Sequence, residues 1–169
     1  MATKWLLDPT HSEITFKVKH LMISNVKGEF TTFNAEIEAE DDTFANAKVS
    51  AIIDTDSIFT NNTDRDNHLK SADFFNAEAN PKITFEATSL NGNVTGNLTI
   101  NGVTKPVTLN VDFGGVNVDP WGNTKAGFSF EGKIKRSDFG LTWNAALETG
   151  GVMVSDEVKI AGELQFVKQ

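Results

Sequence analysis

The stretch ITFEATSLNGNVTGNLTINGVTKPVTLNVDF, residues 83–113, indicates the fold class of this chain. Apolar and polar side chains alternate along three short runs, which is the pattern of half-buried strands. The runs are separated by Asn91-Gly92 and Asn101-Gly102. Asn-Gly is a strong signal for a type I′ hairpin turn, because both central residues of that turn need a positive φ. The stretch therefore predicts three consecutive antiparallel strands.

The same alternation recurs on both sides of this stretch. It covers residues 14–20, 33–39 and 47–53 before it, and residues 126–134 and 158–166 after it. About eight strands follow, nearly all joined by tight turns. Eight strands can close into a barrel that is able to hold one small ligand, as lipocalins do. A two-sheet sandwich is the alternative.

One segment has a helical pattern, NNTDRDNHLKSADFFNA at residues 61–77. Thr63 followed by Asp66 fits a helix N-cap with an acid three residues later, and acids in the first turn suit the helix dipole. The pattern predicts a short helical insert at about residues 63–76, near one opening of a barrel. Phe74 and Phe75 then either plug the core or face a cavity.

Composition limits the classes of function. The chain has 169 residues, which predicts one domain spanning 1–169, and 15 basic against 23 acidic residues give a net charge of -8. No basic residues cluster along the chain, so nucleic acid and anionic membrane surfaces are poor partners. Cysteine is absent, which excludes disulfides and cysteine metal sites.

The start of the chain, MATKWLLDPT, has only Trp5-Leu6-Leu7 as an apolar run. That run is too short for a signal peptide or a membrane span. As written, the chain is therefore expected to be cytoplasmic and without stable membrane insertion; it would be periplasmic if a leader had been removed.

Small residues recur on the predicted inward faces, at Ala35, Ala47, Ala51, Ala87, Gly96, Ala126, Gly132 and Gly162. They either leave a hollow interior or make room for neighbouring Phe rings. The chain has 13 Phe and no Tyr, a composition that suits a dry core or an apolar cavity.

No catalytic motif is present. His11, His20 and His68 have no metal-ligand spacing, and there is no phosphate-binding glycine loop. His20 shares a face with Ile14 and Phe16, so it is either a structural histidine or a polar anchor in an apolar cavity.

Four blocks carry a family resemblance: WLLDPTHSEITFKVKHLMISNVKGEF (5–30), TDRDNHLKSADFFNAEANPKITF (63–85), LTINGVTKPVTL (98–109) and KRSDFGL (135–141). In order and spacing they resemble the YceI-like family, also called polyisoprenoid-binding proteins. The resemblance implies an all-β, extended antiparallel eight-stranded lipocalin-like barrel. It also implies binding of isoprenoid quinones, their precursors, polyprenyl lipids or other long-chain amphiphiles, with the apolar tail in the barrel, and a possible homodimer. It implies no catalytic residue.

A tail of this kind needs an apolar tunnel, and each buried methylene would contribute about 0.8 kcal/mol. The predicted ligand-binding residues are Phe16, Val18, His20, Met22, Phe33, Ile53, Leu69, Phe74, Phe75, Phe85, Leu98, Ile100, Phe128 and Phe130. No cofactor, metal or catalytic residue is predicted.

Charged residues in the four blocks are expected to tie the helical insert and the strand ends to the barrel, with His20 or Arg65 meeting a ligand head group as the alternative. These residues are Asp8, His11, Arg65, Asp66, His68, Arg136 and Asp138. Two further functions stay open. One is an enzyme acting on a small apolar substrate with His20 as general base. The other is a filled barrel that acts in stress or in protein interactions without a ligand.

Overall fold

The computed structural model describes residues 2–21, 23–142 and 154–169. Within them the backbone forms eleven strand segments and one α-helix. These are β1 (Thr3–Leu7), β2 (Glu13–His20), β3 (Ser24–Phe30), β4 (Phe33–Ala39), β5 (Ala47–Asp54), β6 (Ile58–Phe59), α1 (Thr63–Lys70), β7 (Lys82–Ala87), β8 (Gly92–Ile100), β9 (Val103–Val118), β10 (Thr124–Lys135) and β11 (Val154–Lys168).

The eleven described segments make up one closed barrel of eight strands. Three barrel strands are each broken into two segments, which are β1 with β2, β3 with β4, and β5 with β6. Every strand pairs antiparallel with its neighbours, and β11 closes the barrel by pairing with β10 on one edge and with β1 and β2 on the other. The predicted all-β eight-stranded barrel is thus confirmed, and the sandwich is excluded.

Three strand segments and one turn differ from the sequence predictions. The segments β1, β3 and β6 were not predicted, and each belongs to the same barrel strand as a predicted segment, which is β2, β4 or β5 respectively. At residues 101–102 both φ angles are positive, at 54° and 74°, as a type I′ turn requires. At residues 91–92 only Gly92 has a positive φ. The chain needs four residues there, because Leu90 is drawn into the core.

One end of the barrel is closed by an aromatic plug. The loop between β4 and β5 places Phe44 in the left-handed conformation, with φ 58°, and its ring is fully buried. That ring contacts Trp5, Phe113 and Phe128 at centroid distances of 5.3, 5.2 and 5.0 Å. The backbone carbonyl of Phe44 accepts a hydrogen bond from Leu90 N, which ties this loop to the loop between β7 and β8.

The opposite end is covered by α1 and the turns that follow it. Asn62 is the N-cap, since its side chain accepts a hydrogen bond from Arg65 N, so the predicted cap at Thr63 is wrong by one residue. Asn62 provides the same side-chain acceptor one position earlier. After the helix, Asn80 donates to Asn101 in the β8–β9 turn at 2.9 Å, which fixes the insert to the barrel rim.

Candidate functional site

A cavity of about 310 Å³ lies inside the barrel between the aromatic plug and α1. Its size is at the lower limit of the roughly 300–1,000 Å³ that is usual for small-molecule sites. Phe128 of the aromatic plug and Phe166, whose ring centroid lies 5.8 Å from that of Phe128, form its floor. Leu69, Phe74 and Phe75 of the helical insert line the other end. Phe74 and Phe75 therefore face a cavity, which was one of the two roles that the sequence left open for them.

Twelve of the fourteen predicted ligand-binding residues line this cavity: Phe16, Val18, His20, Ile53, Leu69, Phe74, Phe75, Phe85, Leu98, Ile100, Phe128 and Phe130. Phe33 does not, and its prediction as a lining residue is wrong. It lies at the first residue of β4, where its half-buried ring packs against the core at the strand end. Met22 is outside the described residues.

Several lining residues were missed. The largest group is aliphatic and lies on the same inward faces as the predicted residues: Ile14, Val26, Val49, Ile83, Val94, Val107, Leu109, Val111, Ile134, Val158, Ile160 and Leu164. The alternation that identified the strands also marks these aliphatic residues as inward-facing. The predictions favoured large aromatic side chains, whereas a barrel wall includes every inward position of all its strands.

Three inward glycines do not create the hollow, because aromatic rings lie against them, whereas the nearest neighbour of Gly132 is the side chain of Leu109. An added Cβ at Gly28 would come 2.3 Å from Phe16, one at Gly96 would come 2.4 Å from Phe85, and one at Gly162 would come 2.3 Å from Phe130. A ring that lies flat on a glycine keeps its bulk against the wall. Both readings of the small residues are therefore partly right: glycines receive Phe rings, and this arrangement preserves the lumen.

The polar lining lies at the helical end of the cavity. Among the described lining residues, the side chains with polar atoms are His20, Thr60, Arg65, His68 and Arg136. His20 ends β2, and the next three belong to the segment that enters and forms α1. No described lining residue is acidic, although the chain as a whole carries a net charge of -8.

Arg65 and Asp66 hold α1 to the strand segment that precedes it. The buried carboxylate of Asp66 accepts hydrogen bonds from both the backbone N–H and the hydroxyl of Thr60. The guanidinium of Arg65 donates to the hydroxyl and the carbonyl oxygen of Thr60. The predicted structural role of both residues is confirmed, and Arg65 also borders the cavity, where the alternative reading placed it.

Arg136 is a buried cation at the same end. Its guanidinium donates to the carbonyl oxygens of Leu141 and Ser155, both at 2.9 Å, and its Cζ lies 5.9 Å from the centroid of the Phe74 ring. Burial lowers the pKa of Arg136, and the nearby Asp156 opposes this effect. Arginine nevertheless stays protonated at physiological pH. The residue fits its predicted structural role and presents positive charge next to the cavity.

The remaining motif residues have local roles. At the other end of the barrel Asp8 accepts from Lys125 at 2.7 Å and contacts His11 at 2.8 Å, which ties the chain between β1 and β2 to β10. The hydrogen bond from Lys125, followed by those from Thr10, holds the pKa of the Asp8 carboxyl far below its usual range.

His68 Nε2 lies 2.9 Å from Asp73 Oδ2. Asp138 is exposed in the turn after β10, and no contact among the described residues supports its predicted structural role.

His20 has no carboxylate within hydrogen-bonding distance in the part of the chain that the structure describes, so the pairing that a histidine general base would use is not formed there. The same residues include no group of three or more His, Asp and Glu side chains that could hold a metal ion. No helix among them is long and apolar enough to cross a membrane.

A family model described as "YceI-like domain" matches residues 5–166 of this chain. The chain belongs to the YceI-like family. A UPF0312 protein of Staphylococcus epidermidis is similar to it, with 45% identity over 166 residues that cover 97% of both chains. This match extends the resemblance seen in the four sequence blocks to almost the whole chain.

Solved structures share the YceI-like barrel. A YceI protein of Campylobacter jejuni is 38% identical, with a TM-score of 0.75 over 89% of this chain and 90% of that one. A polyisoprenoid binding domain from Saccharophagus degradans has a TM-score of 0.76 over 98% of both chains. Its sequence identity of 15% means that this second likeness shows the fold alone.

Proposed function

We propose that this protein binds a long amphiphilic isoprenoid-type lipid, such as an isoprenoid quinone, a quinone precursor or a polyprenyl chain, and serves as its carrier, store or sequestering protein without catalysing a reaction. One observation carries the proposal. The described wall of the cavity is apolar from its aromatic floor upward, and its polar side chains lie together at the helical end. An amphiphile has the same arrangement, with an apolar tail and a polar head group at one end.

The tail would lie in the barrel with its tip against Phe128 and Phe166. Each methylene that leaves water for this wall contributes about 0.8 kcal/mol, so binding strengthens with chain length until the lumen is full. We propose a branched chain by analogy with the polyisoprenoid binding domain, which shares this fold. Walls built of Phe, Ile, Val and Leu can pack against branch methyl groups as well as against methylenes.

The head group would lie beside Arg65, Arg136 and His20. Because the charged side chains in the described lining are basic, this end favours head groups with oxygen acceptors, such as quinone carbonyls or phosphates, over cationic head groups. Both arginines are already oriented by hydrogen bonds to protein oxygens, so little side-chain entropy would be lost on binding.

Native mass spectrometry of the purified protein, before and after extraction with organic solvent, tests the proposal. We expect a bound mass that extraction removes and that lipid analysis identifies as an isoprenoid. Ala51 lines the cavity, so Ala51→Trp should fill the lumen and abolish the bound mass. Ala45→Trp is the matched control, because Ala45 is exposed in the loop between β4 and β5. Equal lipid content in both variants would contradict binding inside the barrel.

Competition binding tests the chemistry of the tail. Farnesol and dodecanol have the same main-chain length, and farnesol adds branch methyl groups. At about 0.8 kcal/mol for each buried methyl, farnesol should bind at least about tenfold more tightly. Equal affinities for farnesol and dodecanol would indicate a general lipid binder and would refute the isoprenoid part of the proposal.

A further inference from the structure

Four lysines form a row across the outer wall of the barrel. Strand register places Lys133 opposite Lys159, Lys159 opposite Lys17, and Lys17 opposite Lys27. Neighbouring strands are about 4.8 Å apart, so this lysine row brings four cations together on adjacent strands. The sequence showed no basic cluster because Lys17 and Lys27 lie near the start of the chain, whereas Lys133 and Lys159 lie near its end.

The lysine row keeps most of its positive charge. Like charges directly opposite each other destabilise a sheet. Within the described chain, Lys133 is the member of the row that has an ion pair, with Glu157 at 3.9 Å. Lys17, the half-buried member, is flanked by Lys27 and Lys159 and has no described acidic partner within 4 Å. The row is therefore a patch of positive potential on an acidic protein, and it favours an anionic partner.

The lysine row borders a gap in the barrel wall. On the edge of β3 away from β2, the described pairing is limited to Glu29 with Phe59 and Phe30 with Ile58. A depression of about 480 Å³ lies against this part of β3. Three cations, Lys17, Lys27 and Lys159, line it against one described acid, Glu29. It shares Phe16 and Thr60 with the main cavity. The depression therefore lies on a short route between the outer surface and the lumen.

Exposed apolar side chains lie close to the same gap. The turn between β2 and β3 presents Leu21, which is 37% exposed, and Ile23, which is 83% exposed. Phe59, which lines the depression, is 45% exposed. Exposed aliphatic and aromatic side chains next to lysines are the combination with which peripheral proteins bind an anionic bilayer.

We propose that the lysine row, the β2–β3 turn and the depression form one face that docks on an anionic lipid bilayer, with the gap beside β3 turned towards the membrane. The inference rests on the proposed function, because docking in this orientation would let a lipid pass between bilayer and cavity without crossing water. A bilayer is favoured over nucleic acid, because Leu21 and Ile23 gain free energy from hydrocarbon and gain nothing from a phosphate backbone.

Vesicle flotation tests the charge of this face. We expect binding to phosphatidylcholine vesicles that contain phosphatidylglycerol, weaker binding to pure phosphatidylcholine, and release by salt. Each lysine near an anionic surface contributes about fivefold to affinity, so Lys27→Gln with Lys159→Gln should weaken binding about 25-fold. The control is Lys48→Gln with Lys105→Gln, which removes the same charge from exposed positions elsewhere and should change binding by less than about twofold.

The apolar part of the face is tested by Ile23→Ser, which should weaken vesicle binding about tenfold. Trp121→Ser is its control, since Trp121 is also 83% exposed but lies in the β9–β10 turn at the opposite end of the barrel. Equal losses of vesicle binding in the test and control variants would overturn the proposal. Binding to a single-stranded oligonucleotide without binding to vesicles would also overturn it.

Bound lipid is measured in the same samples. Vesicle binding by a protein that never carries lipid would refute the proposed function but would still support the docking face.

Discussion

Gly28→Ala should narrow the cavity, because this glycine gives space to a ring that lines it. The Cβ of an alanine at this position would lie 2.3 Å from Cζ of Phe16, and its nearest neighbours are atoms of that one ring. Carbon atoms in contact prefer separations of about 3.5–4.0 Å, so the ring must move by about 1 Å or more. Gly28 is directly opposite Phe16 in the sheet, so the ring can move only away from the wall and into the lumen.

Two magnitudes follow from this displacement. Overpacking of a well-packed wall typically costs about 1–3 kcal/mol of stability, and a ring with open space in front of it should fall at the lower end of that range. The displaced ring also removes room for about one methylene of a bound tail, which is worth about 0.8 kcal/mol, or about fourfold in affinity. The variant should therefore stay folded and bind its longest ligands less tightly.

Urea unfolding and binding of a series of prenyl alcohols of increasing length measure these two effects. Gly127→Ala is the matched control, since an added Cβ at this β10 glycine meets no atom within 4 Å, and it should leave both properties nearly unchanged. Adding Phe16→Leu to Gly28→Ala should restore the affinity for long chains by removing the displaced ring. If Gly28→Ala keeps the wild-type preference for chain length, the argument that rings seated on glycines shape the lumen is wrong.

Four further results are expected. Phe44→Ala should cost about 3–5 kcal/mol of stability in urea unfolding, and it should shift bound lipids towards longer chains by opening the floor. Asp66→Ala should cost about 2–3 kcal/mol and speed amide exchange in α1, because two buried donors lose their acceptor. Arg65→Gln should reduce the preference for farnesyl phosphate over farnesol about tenfold in competition binding. The lowered pKa of Asp8 stabilises the folded state at neutral pH, and this contribution is lost as the pH falls below the unfolded value of about 3.9. Asp8→Asn should therefore cost about 1 kcal/mol at pH 7 and progressively less in acid.

Each of these expectations has a result that would count against it. Unchanged lipid length in a folded Phe44→Ala protein would show that the plug does not limit the tail. Amide exchange that rises equally over the whole barrel in Asp66→Ala would show that this carboxylate does not act locally on the helix. Unchanged head-group preference in Arg65→Gln would place the head group elsewhere. A constant stability difference between pH 7 and pH 3 in Asp8→Asn would exclude the linkage to that carboxyl.

Local patterns predicted the strands and the helix well, because they depend on near neighbours in the chain. The alternation of side chains identified eight strands. Asn101-Gly102 predicted a type I′ turn, because few residues tolerate the positive φ angles that this turn requires. The insert was recognised from acids at a helix start, with an error of one residue at the cap, but the helix ends at Lys70 and turns replace it up to residue 76. Most of the predicted lining residues followed from the same alternation, since it separates the inside of a barrel from its outside.

Features that depend on which residues stand opposite each other on paired strands could not be predicted. The seating of Phe16 on Gly28 requires the pairing of β2 with β3, and the lysine row requires the pairing of four strands. Phe44 was missed for a different reason. It lies in a loop without periodicity, in a backbone conformation that is uncommon for phenylalanine, so no local pattern predicts that its ring closes the barrel.

The distribution of polar groups along the cavity fixes the orientation of an amphiphilic ligand inside it. Phe128 at the floor and Ile134 near the rim both line the lumen on β10, and six residues of strand at the usual barrel tilt correspond to a depth of about 15 Å. The described polar groups of the lining lie at the helical end, so an amphiphile that entered head first would place its head group against Phe128 and Phe166 without a hydrogen-bond partner there. Leaving a polar group unsatisfied in an apolar site costs several kcal/mol, which disfavours that orientation by at least about a hundredfold. In the proposed complex the tail would therefore point towards the plug. A tail longer than this depth would fold back or extend out past the helical insert, so that the plug sets the length of chain that binds best.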